Sequence, residues 1–477
     1  MTLVIDGFRK ALQIDAVDAS TNFFASGGGS LQVLLLQDFI KTDNGQRPSL
    51  RQKIEQHVFF SNPTVADIVE LLVELASKFT DGANQSEAVS VQAGHVNSGG
   101  FYPASFQQEQ MFILDASGFG AAYNMPWILD IKGKLNRELM LQALDLVVKR
   151  EQPLRTILRL KGGNVQQKVL PKSDSRQLWE CQDHFAGSYE DAIQILSEEQ
   201  GYIFNVKQAP ISRMNIVKLE SDRSLVMVNG HHVNHDTVSI FIIFLLNVNT
   251  EYLALTFDLL IVMKWSTVNF RRCLLQTYVD LCAGQKKDFD ESDREYDYLG
   301  WSLWQQAFVK RGSPEYVKQL KYWKNELQGA SVVEFPRDKP LKSSRANQGK
   351  MITFELSPSV IRTWKEDLAS QGCTIFMGGL TVLHLLLARW CNKDDIVTGA
   401  AVANRNIHPA YSERLGGYAN IVTIRSNSGN DPSYSEMLQE LRSRILGSWT
   451  AQDIPYHQVI AGIGDSDFRG FNVMYAM

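Results

Sequence analysis

Two segments of the chain carry residues whose types and spacing could do chemistry. The first places three histidines and an aspartate within six positions, in the run His231-His232-Val233-Asn234-His235-Asp236. It follows an apolar run, Leu225 to Val228, that predicts a strand, and a strand end can display imidazole and carboxylate groups in a cleft. A histidine near its normal pKa can accept a proton from an attacking amine or alcohol, or position that nucleophile by a hydrogen bond.

The same residues have simpler interpretations. Three histidines and an aspartate are also typical of a metal site or of a polar patch in the core. Neighbouring residues of a strand point to opposite faces, so His231 and His232 cannot both be ligands from one extended strand. We therefore expect no metal here, and a polar core patch and a catalytic residue stay open.

The second segment places a serine directly after a glycine-rich turn, in the run Asn22 to Leu31 (NFFASGGGSL). The apolar residues that follow predict a helix, so Ser30 would lie at its N-terminus with an exposed hydroxyl. Backbone N–H groups and the positive end of the helix dipole suit a residue that carries a phosphodiester. An ordinary helix cap after a flexible loop is the simpler interpretation of these residues alone.

The elements that must position these residues form two groups separated by a linker. Residues 78–100 have few large apolar side chains and many Gly, Ser, Asn and Gln, which is typical of a flexible connector. Before it, helical periodicity predicts a small all-α bundle from Leu3 to Leu12, Leu31 to Ile40 and Val65 to Leu75. After it, strands alternate with helices, which predicts an α/β or α+β body.

The elements predicted in that body are as follows. The strands are Trp127 to Ile131, Met214 to Leu219, Leu225 to Val228 and Ile421 to Ile424, and the helices are Arg137 to Lys149, Glu315 to Glu326 and Ile375 to Trp390.

The composition excludes several classes of function. The 477 residues, 44% hydrophobic and 21% charged, are typical of a folded chain with more than one domain. A net charge of −4 without long Lys/Arg runs indicates no binding to nucleic acid or to an anionic membrane. Five cysteines without a C-x-x-C pair favour a reducing, cytoplasmic location. The most apolar stretch, Leu253 to Met263, is too short to span a bilayer.

Residues 1–78 resemble the peptidyl carrier (thiolation) domain of nonribosomal peptide synthetases. The resemblance depends on the entry helix ending at Leu12, the Phe23-Phe24 pair before the glycines, and the run Phe59 to Leu72 (FFSNPTVADIVELL). It implies that Ser30 carries 4′-phosphopantetheine, installed by a phosphopantetheinyl transferase, whose thiol holds an acyl thioester. Gly29 stands where the family has Asp or His.

Residues 101–477 resemble the condensation domains of the same synthetases, in motifs that follow the order of the family. Residues 231–236 resemble H-H-x-x-x-D, and Asp297 to Trp301 (DYLGW) resembles D-Y-A-x-W. Arg150 to Thr156 resembles R-H-E-x-L-R-T, with Glu151 and Gln152 in place of His and Glu. The other matching segments are Tyr102 to Leu114, with Gln110 where Arg is usual, Tyr123 to Pro126, Gly399 to Arg405, Gly416 to Asn420 with Arg425, Gln452 to Tyr456 and Asn472 to Tyr475.

This second resemblance implies two chloramphenicol acetyltransferase-like α/β lobes in a V, with a substrate tunnel between them. His232 would be the catalytic residue, as a general base or as a group that positions the nucleophile, and His231 would lie beside it. Asp236 would be structural and paired with Arg155, because a carboxylate beside an arginine keeps a low pKa and is a poor base.

Two further residues would support the cleft. Asn420 and Trp301 match motif positions, and for Trp301 core packing is at least as good an interpretation.

Three features depart from the pattern of the family. Thr237 stands where the family has glycine, so its side chain would narrow the access of the acceptor. An apolar insert near residues 245–270 interrupts what is one helix in the family, ending near Tyr278. We interpret the insert as a gene-model artefact, with a true insertion that covers the tunnel as the less favoured option. The chain ends at Met477, and we expect a condensation domain truncated at its C-terminus.

The function implied is acyl transfer from a phosphopantetheine-bound thioester to an amine, forming an amide in nonribosomal peptide or hybrid natural-product biosynthesis. The partners implied are an upstream loading or adenylation protein and an acceptor substrate or downstream carrier domain. The motif does not distinguish amines from alcohols, so ester formation is an alternative. A degenerate docking module without catalysis and an epimerase-like relative also stay open.

Overall fold

The chain divides into two compact units that alternate along the sequence. Unit 1 comprises Met1–Ser86, Lys318–Val402 and Ile421–Tyr475, and unit 2 comprises Glu87–Val317, Ala403–Asn420 and Ala476–Met477. The structure, a computed structural model, describes residues 1–24, 26, 28, 33, 36–37, 39–40, 59, 62–77, 99–116, 123–219, 222–234, 242–247, 254–256, 265–285, 296–336, 356–405, 407, 409–464, 468 and 470–476.

Two helices at the start of the chain pack against each other, α1 (Thr2–Leu12) and α2 (Val65–Ser77). Helix α1 buries Val4, Phe8 and Ala11, whose spacing of three to four residues places them on one face. Thr64 precedes α2, and its hydroxyl accepts from the Asp67 N–H at 3.1 Å while the Asp67 carboxylate accepts from the Thr64 N–H at 3.0 Å. This reciprocal cap fixes where α2 begins.

These helices confirm two of the three helices predicted for the N-terminal segment. The third, Leu31 to Ile40, is described only at isolated positions, and Ser30 and the linker from 79 to 98 lie outside the described residues. The described residues therefore give two packed helices, and a complete, separate all-α bundle stays a prediction.

Unit 2 contributes most of the regular structure. Its elements in chain order are β1 (Tyr102–Pro103), α3 (Phe106–Leu114), β2 (Trp127–Lys132), α4 (Arg137–Arg150), β3 (Thr156–Lys161), β4 (Asn164–Val169), β5 (Glu180–Ala186), α5 (Tyr189–Gln200), β6 (Ser212–Leu219), β7 (Arg223–Gly230), β8 (Ile242–Asn247), β9 (Ala254–Thr256), α6 (Trp265–Cys282) and α7 (Tyr298–Phe308). Short 3₁₀ helices cover Gln152–Arg155, Lys172–Gln177 and His232–Asn234.

A six-stranded mixed sheet forms the centre of unit 2, in the order β5-β6-β7-β2-β8-β9. Strand β2 pairs antiparallel with β7, with Trp127 opposite Val228, and parallel with β8, with Trp127 opposite Ile242. Leu129 on one face of β2 packs in a core that includes residues of α4 and α6, and Ile128 on the other face packs in a core that includes residues of α5. Because both faces of β2 are covered, Trp127, Ile128 and Leu129 are apolar without alternation, and the buried Asp130 accepts from the Arg223 Nε at 2.7 Å.

A three-stranded sheet, in the order β1-β4-β3, lies at the start of unit 2. Leu158 of β3 and Val165 of β4 share a small core with Phe112 of α3 and Val233. Helix α3 is thereby packed beside the turn that follows β7.

The chain after α7 adds the remaining elements. These are α8 (Pro314–Glu326), α9 (Pro358–Ser370), α10 (Ile375–Cys391), β10 (Asp395–Val402), a 3₁₀ helix (Pro409–Glu413), β11 (Asn420–Asn427), α11 (Tyr434–Trp449), α12 (Tyr456–Ile463) and β12 (Met474–Tyr475). The strands form a sheet in the order β11-β10-β12, with β10 and β12 parallel.

A buried histidine connects α10 to two strands of this sheet. The His384 Nδ1 lies 2.7 Å from the Ser426 Oγ of β11, and its Nε2 lies 2.8 Å from the Thr398 Oγ1 of β10. Burial lowers the pKa of His384 to about 3, so the imidazole is neutral and can use one nitrogen as donor and the other as acceptor.

The strands and helices predicted for the body of the chain are confirmed, each within a few residues of its observed bounds. Tyr278 lies in α6 as expected, but α6 begins only at Trp265, and the described residues ahead of it include strands β8 and β9. Among the described residues no single helix is long and apolar enough to cross a membrane. Helices α9 and α10 taken together are long and apolar enough, by length and composition only. The two helices are bent by 102° relative to each other.

Candidate active site

His231 is a fully buried residue at the end of β7. It forms a β-bridge with Asn124, and its backbone N–H donates to the Ile211 carbonyl at 3.4 Å. Its side chain is 0% exposed, and its Nδ1 accepts from the Val233 N–H at 3.2 Å. Since Nδ1 is an acceptor, the hydrogen of the neutral ring must be on Nε2, which lies 3.6 Å from the Asp115 Oδ1.

The surroundings of His231 keep it neutral. Burial, and secondly the charge of His232, lowers the pKa of His231 to about 4. A protonated ring would lose the acceptor that holds the Val233 N–H and would place a charge in a site without solvent. His231 is therefore suited to hold the turn in place and poorly suited to take up a proton during a reaction.

His232 differs from its neighbour because the strand has ended. It begins the 3₁₀ turn His232–Asn234, which turns the chain away from the direction of β7, and its side chain is only partly buried. Val233 of the same turn is packed against Phe112 of α3. The two imidazoles thus have different environments, one dry and neutral and one partly accessible.

The rest of the histidine motif, His235, Asp236 and Thr237, lies outside the described residues. Arg155, the partner predicted for Asp236, is buried, and it donates from Nε to the Val148 carbonyl at 3.0 Å and from Nη1 to the Leu170 carbonyl. The pairing of Asp236 with Arg155 stays a prediction. Among the described residues no group of three or more His, Cys, Asp or Glu side chains could hold a metal ion.

A loop from the last third of the sequence packs in unit 2, and we call residues 411–418 the clamp loop. The Arg405 guanidinium donates to the Tyr411 carbonyl at 2.5 Å and to the Arg414 carbonyl at 2.6 Å. It also donates to the Ser266 Oγ at 2.9 Å and lies over the Tyr418 ring, 4.1 Å from its centroid. One buried cation therefore organises the whole loop.

Glu151 holds the same loop from another side. Its carboxylate accepts from the Leu415 N–H at 3.1 Å, and its other oxygen lies 3.2 Å from the Arg150 Nε. Glu151 stands where the family resemblance expects His, and a carboxylate is a strong acceptor for a backbone N–H. The glutamate at position 151 is thus explained by its contact with the Leu415 N–H, which the sequence did not reveal.

Gln152, the second departure in that motif, has a similar explanation. Its Nε2 donates to the Asp297 Oδ2 at 2.5 Å, and its Oε1 accepts from the Leu299 N–H at 3.2 Å. Asp297 also caps α7 through the Gly300 N–H at 2.7 Å, and burial raises the pKa of Asp297. A glutamate at position 152 would place a second carboxylate beside this one, whereas the amide supplies a donor.

Trp301 is 0% exposed and lies among three tyrosines. Its ring is 5.5 Å from that of Tyr298 and 4.7 Å from that of Tyr418, and Tyr411 belongs to the same cluster. The geometry favours core packing, one of the two interpretations left open for Trp301. Asn420 is buried and begins β11, two positions after Tyr418.

The two glycines of the clamp loop, Gly416 and Gly417, have different surroundings. Gly416 has a φ of 152°, and a Cβ there would lie 2.3 Å from the Tyr298 ring. A Cβ on Gly417 would make ordinary contacts, 3.4 Å from the Tyr298 hydroxyl, 3.8 Å from the Gln107 Cβ and 4.0 Å from the Val233 carbonyl oxygen. The backbone conformation and the nearby Tyr298 ring therefore require glycine at position 416. Gly417, in contrast, leaves a small space beside the Val233 carbonyl.

This contrast predicts different outcomes for two alanine substitutions. Gly416→Ala combines backbone strain with a clash, and we expect it to lower the free energy of unfolding by about 2 kcal/mol or more. Gly417→Ala should lower it by less than about 1 kcal/mol. Denaturant unfolding followed by circular dichroism measures both, and equal losses for the two variants would contradict the geometry of the loop.

The chain is similar over nearly its whole length to parts of very large synthetases. It is 24% identical over 459 residues to malpinin synthetase of Mortierella alpina, which covers 95% of this chain and 5% of that protein. It is 24% identical over 470 residues to tyrocidine synthase 2 of Brevibacillus parabrevis, which covers 98% of this chain and 11% of that protein. The chain thus spans only a small part of the length of these relatives.

Solved structures show the same fold at low identity. The X-domain from teicoplanin biosynthesis matches with a TM-score of 0.64 and 17% identity, covering 78% of this chain and 76% of that one. The first condensation domain of the calcium-dependent antibiotic synthetase matches with a TM-score of 0.58 and 15% identity, covering 79% and 80%.

One protein-family model matches most of the chain. The condensation-domain model aligns with residues 98–256 and 244–467, two segments that overlap at 244–256. The matched residues include the histidine motif, the clamp loop and the motif from Asp297 to Trp301. The chain therefore belongs to the condensation-domain family.

Proposed function

We propose that the chain transfers an acyl group from a phosphopantetheine-bound thioester to an amine, and so forms an amide bond in nonribosomal peptide or hybrid natural-product biosynthesis. The observation that carries the proposal is the difference between the two histidines. His231 is buried and neutral, and it holds the turn at whose start the partly accessible His232 lies. A partly accessible imidazole beside a dry, neutral one is suited to activate a nucleophile.

The phosphopantetheine arm supplies the thioester, an acyl group already activated for attack. His232 either accepts a proton from the attacking amine or holds that amine by a hydrogen bond as the new C–N bond forms. As a base it returns the proton to the departing sulfur when the C–S bond breaks, so the imidazole ends the cycle neutral. Because His231 stays neutral above about pH 4, no second positive charge lies beside His232 when it takes up a proton.

The further roles predicted from the sequence are part of this proposal. Asp236 would hold the histidine loop by pairing with the buried Arg155. Asn420 would lie at the cleft, next to the clamp loop. The donor and the acceptor would both be brought to His232, with an upstream loading or adenylation protein and a downstream carrier or soluble acceptor as partners in the cytoplasm.

The first prediction concerns His232. His232→Ala should lower the rate of product formation from an acyl-loaded carrier and an amine by about a hundredfold or more, because the group that activates the amine is lost. His184→Ala, on edge strand β5, is the matched control and should keep the rate. The assay is product formation followed by mass spectrometry, with amine and alcohol acceptors offered in parallel to separate amide from ester formation.

Two outcomes of that assay would overturn the proposal. An unchanged rate in His232→Ala would exclude catalysis at this site and favour a docking module. Proton exchange at the α-carbon of the bound acyl group without condensation would favour the epimerase-like alternative. The docking module is the second candidate because one similar solved structure is an X-domain in complex with OxyB.

We further propose that residues 1–78 form a carrier domain with 4′-phosphopantetheine on Ser30, joined by a linker at 79–100 to a condensation domain at 101–477. The alignments with the synthetases include nearly all of the chain, and so most of the residues before 98. The turn before Ser30 is tight, since the Gly28 N–H donates to the Phe23 carbonyl at 2.9 Å and a Cβ on Gly28 would lie 2.3 Å from the Phe23 ring. Ser30 follows Gly28 by two positions in the sequence, and a serine there suits attachment of the arm.

The position of the proposed insert near 245–270 also has support. The family model aligns in two segments, and the junction between them, 244–256, falls within this stretch. We propose that the insert lies among the residues of this stretch outside β8 and α6, because Leu245 of β8 pairs with Asp130 and Phe270 of α6 packs in the core.

The carrier proposal predicts a change of mass. Incubation of the full chain with coenzyme A and a broad phosphopantetheinyl transferase should add the mass of one phosphopantetheine group. The Ser30 hydroxyl loses its proton and attacks the phosphorus that bears the pantetheine arm, the P–O–P bond of coenzyme A breaks, and adenosine 3′,5′-bisphosphate leaves. Intact-protein mass spectrometry measures the gain, and Ser30→Ala should abolish it. Ser26→Ala, in the same turn, is the control and should still be modified. A chain that gains no mass, or gains it in Ser30→Ala, contradicts the assignment.

A further inference from the structure

Gln107 lies beside the candidate active site with its side-chain amide unused. Both the Oε1 and the Nε2 of Gln107 are shielded from solvent and have no hydrogen-bond partner among the described residues. Buried polar groups in folded proteins are nearly always paired, because an unpaired amide loses its bonds to water without replacement. A Gln with both ends unpaired beside a reaction centre therefore indicates a partner that binds there.

The backbone of Gln107 is held rigidly by its neighbours. Ser105 caps α3, accepting from the Gln108 N–H at 3.1 Å, and the Gln108 Oε1 accepts from the Ser105 N–H at 2.9 Å. The Ser105 hydroxyl also lies 2.7 Å from the Tyr298 hydroxyl, which donates to the Gly417 carbonyl at 3.1 Å. Helix α3 is thus fixed to the clamp loop at the turn that carries Gln107.

The contacts of Gly417 show where Gln107 lies relative to the 3₁₀ turn His232–Asn234. A Cβ on Gly417 would lie 3.8 Å from the Gln107 Cβ and 4.0 Å from the Val233 carbonyl oxygen. Gln107 and the residue after His232 therefore border the same small space, which Gly417 leaves unfilled. A ligand group beside the Val233 carbonyl would therefore lie within the reach of the Gln107 side chain.

We propose that Gln107 binds the secondary amide of the pantetheine arm nearest to its sulfur, and so positions the thioester at His232. This inference rests on the proposed acyl-transfer function. A carboxamide side chain carries one acceptor and two donors, and it can pair with both the N–H and the C=O of a secondary amide. In the pantetheine arm that amide is separated from the sulfur by two methylene groups. This short distance matches the closeness of Gln107 to the 3₁₀ turn that begins at His232.

The first test measures binding and needs no turnover. Pantetheine is titrated into the full chain by isothermal calorimetry, for the unmodified sequence, for Gln107→Leu and for Gln107→Glu, which keeps the size but removes the donor. We expect pantetheine to bind about ten- to a hundredfold more weakly to both variants. Gln194→Leu, an exposed glutamine of α5, is the matched control and should bind as the parent does, and circular dichroism compares the folding of all four chains.

The second test separates recognition of the amide from general damage to the site. The same acyl group is offered as its N-acetylcysteamine thioester, which carries the amide, and as its S-pentyl thioester, which has the same chain length without the amide. In Gln107→Leu, kcat/KM should fall by about ten- to a hundredfold for the first substrate and stay unchanged for the second.

Each outcome decides the inference. Two kinetic results would overturn the inference: equal losses of kcat/KM on both thioesters, or unchanged kinetics on both. Two binding results would overturn it as well: unchanged affinity for pantetheine in the variants, or no binding of pantetheine to the parent chain. Gln107 would then have a bound water as its partner or a role in packing. If the parent binds pantetheine and the variants lose it while no chain shows turnover, the inference stands and the proposed acyl transfer fails.

Discussion

The hydrogen bond from the Val233 N–H to the buried Nδ1 of His231 is the contact on which the candidate site depends. It requires an imidazole that is neutral and that keeps its hydrogen on Nε2. Burial at the end of β7 supplies this condition, because a charged ring would be strongly disfavoured there. This hydrogen bond holds the start of the turn that follows, and His232 lies between the two residues that it joins.

The clamp loop gives that turn its surroundings. Arg405 and Glu151 hold the backbone of the loop by a buried guanidinium and a carboxylate, and Tyr298 connects it to the start of α3. Residues far apart in the sequence thereby border one space beside Val233. The motifs of this chain are thus parts of one polar network, in which Glu151, Gln152 and Arg405 bind backbone groups.

Much of the fold could be predicted from the sequence because its signals are local. The apolar runs that gave β2, β6 and β7 reflect strands covered on both faces, and the periodicity from Ile375 onward reflects one buried helix face. We also expected the side chains of His231 and His232 to point in different directions, but for a different reason. The two side chains differ because β7 ends at Gly230 and a 3₁₀ turn follows, not because both lie on one extended strand.

The partners of the motif residues could not be predicted, because they lie far away along the chain. Glu151 and Gln152 were recognised only as departures from a pattern, since the contact to Leu415 spans 264 positions and the contact to Asp297 spans 145. Gln107 gave no signal in the sequence, because an unpaired buried amide is visible only in three dimensions. A substitution pattern that couples positions 152 and 297, whose side chains contact each other, would be a clue available without a structure.

The protonation state of His231 tests the central claim most directly. Chain labelled with ¹⁵N and ¹³C in histidine is titrated by NMR, with a His231→Gln variant to assign the signal. The account predicts that His231 stays neutral down to a pKa of about 4, with its hydrogen on Nε2. A His231 that titrates near the ordinary histidine value of about 6.5, or that carries its hydrogen on Nδ1, would contradict it.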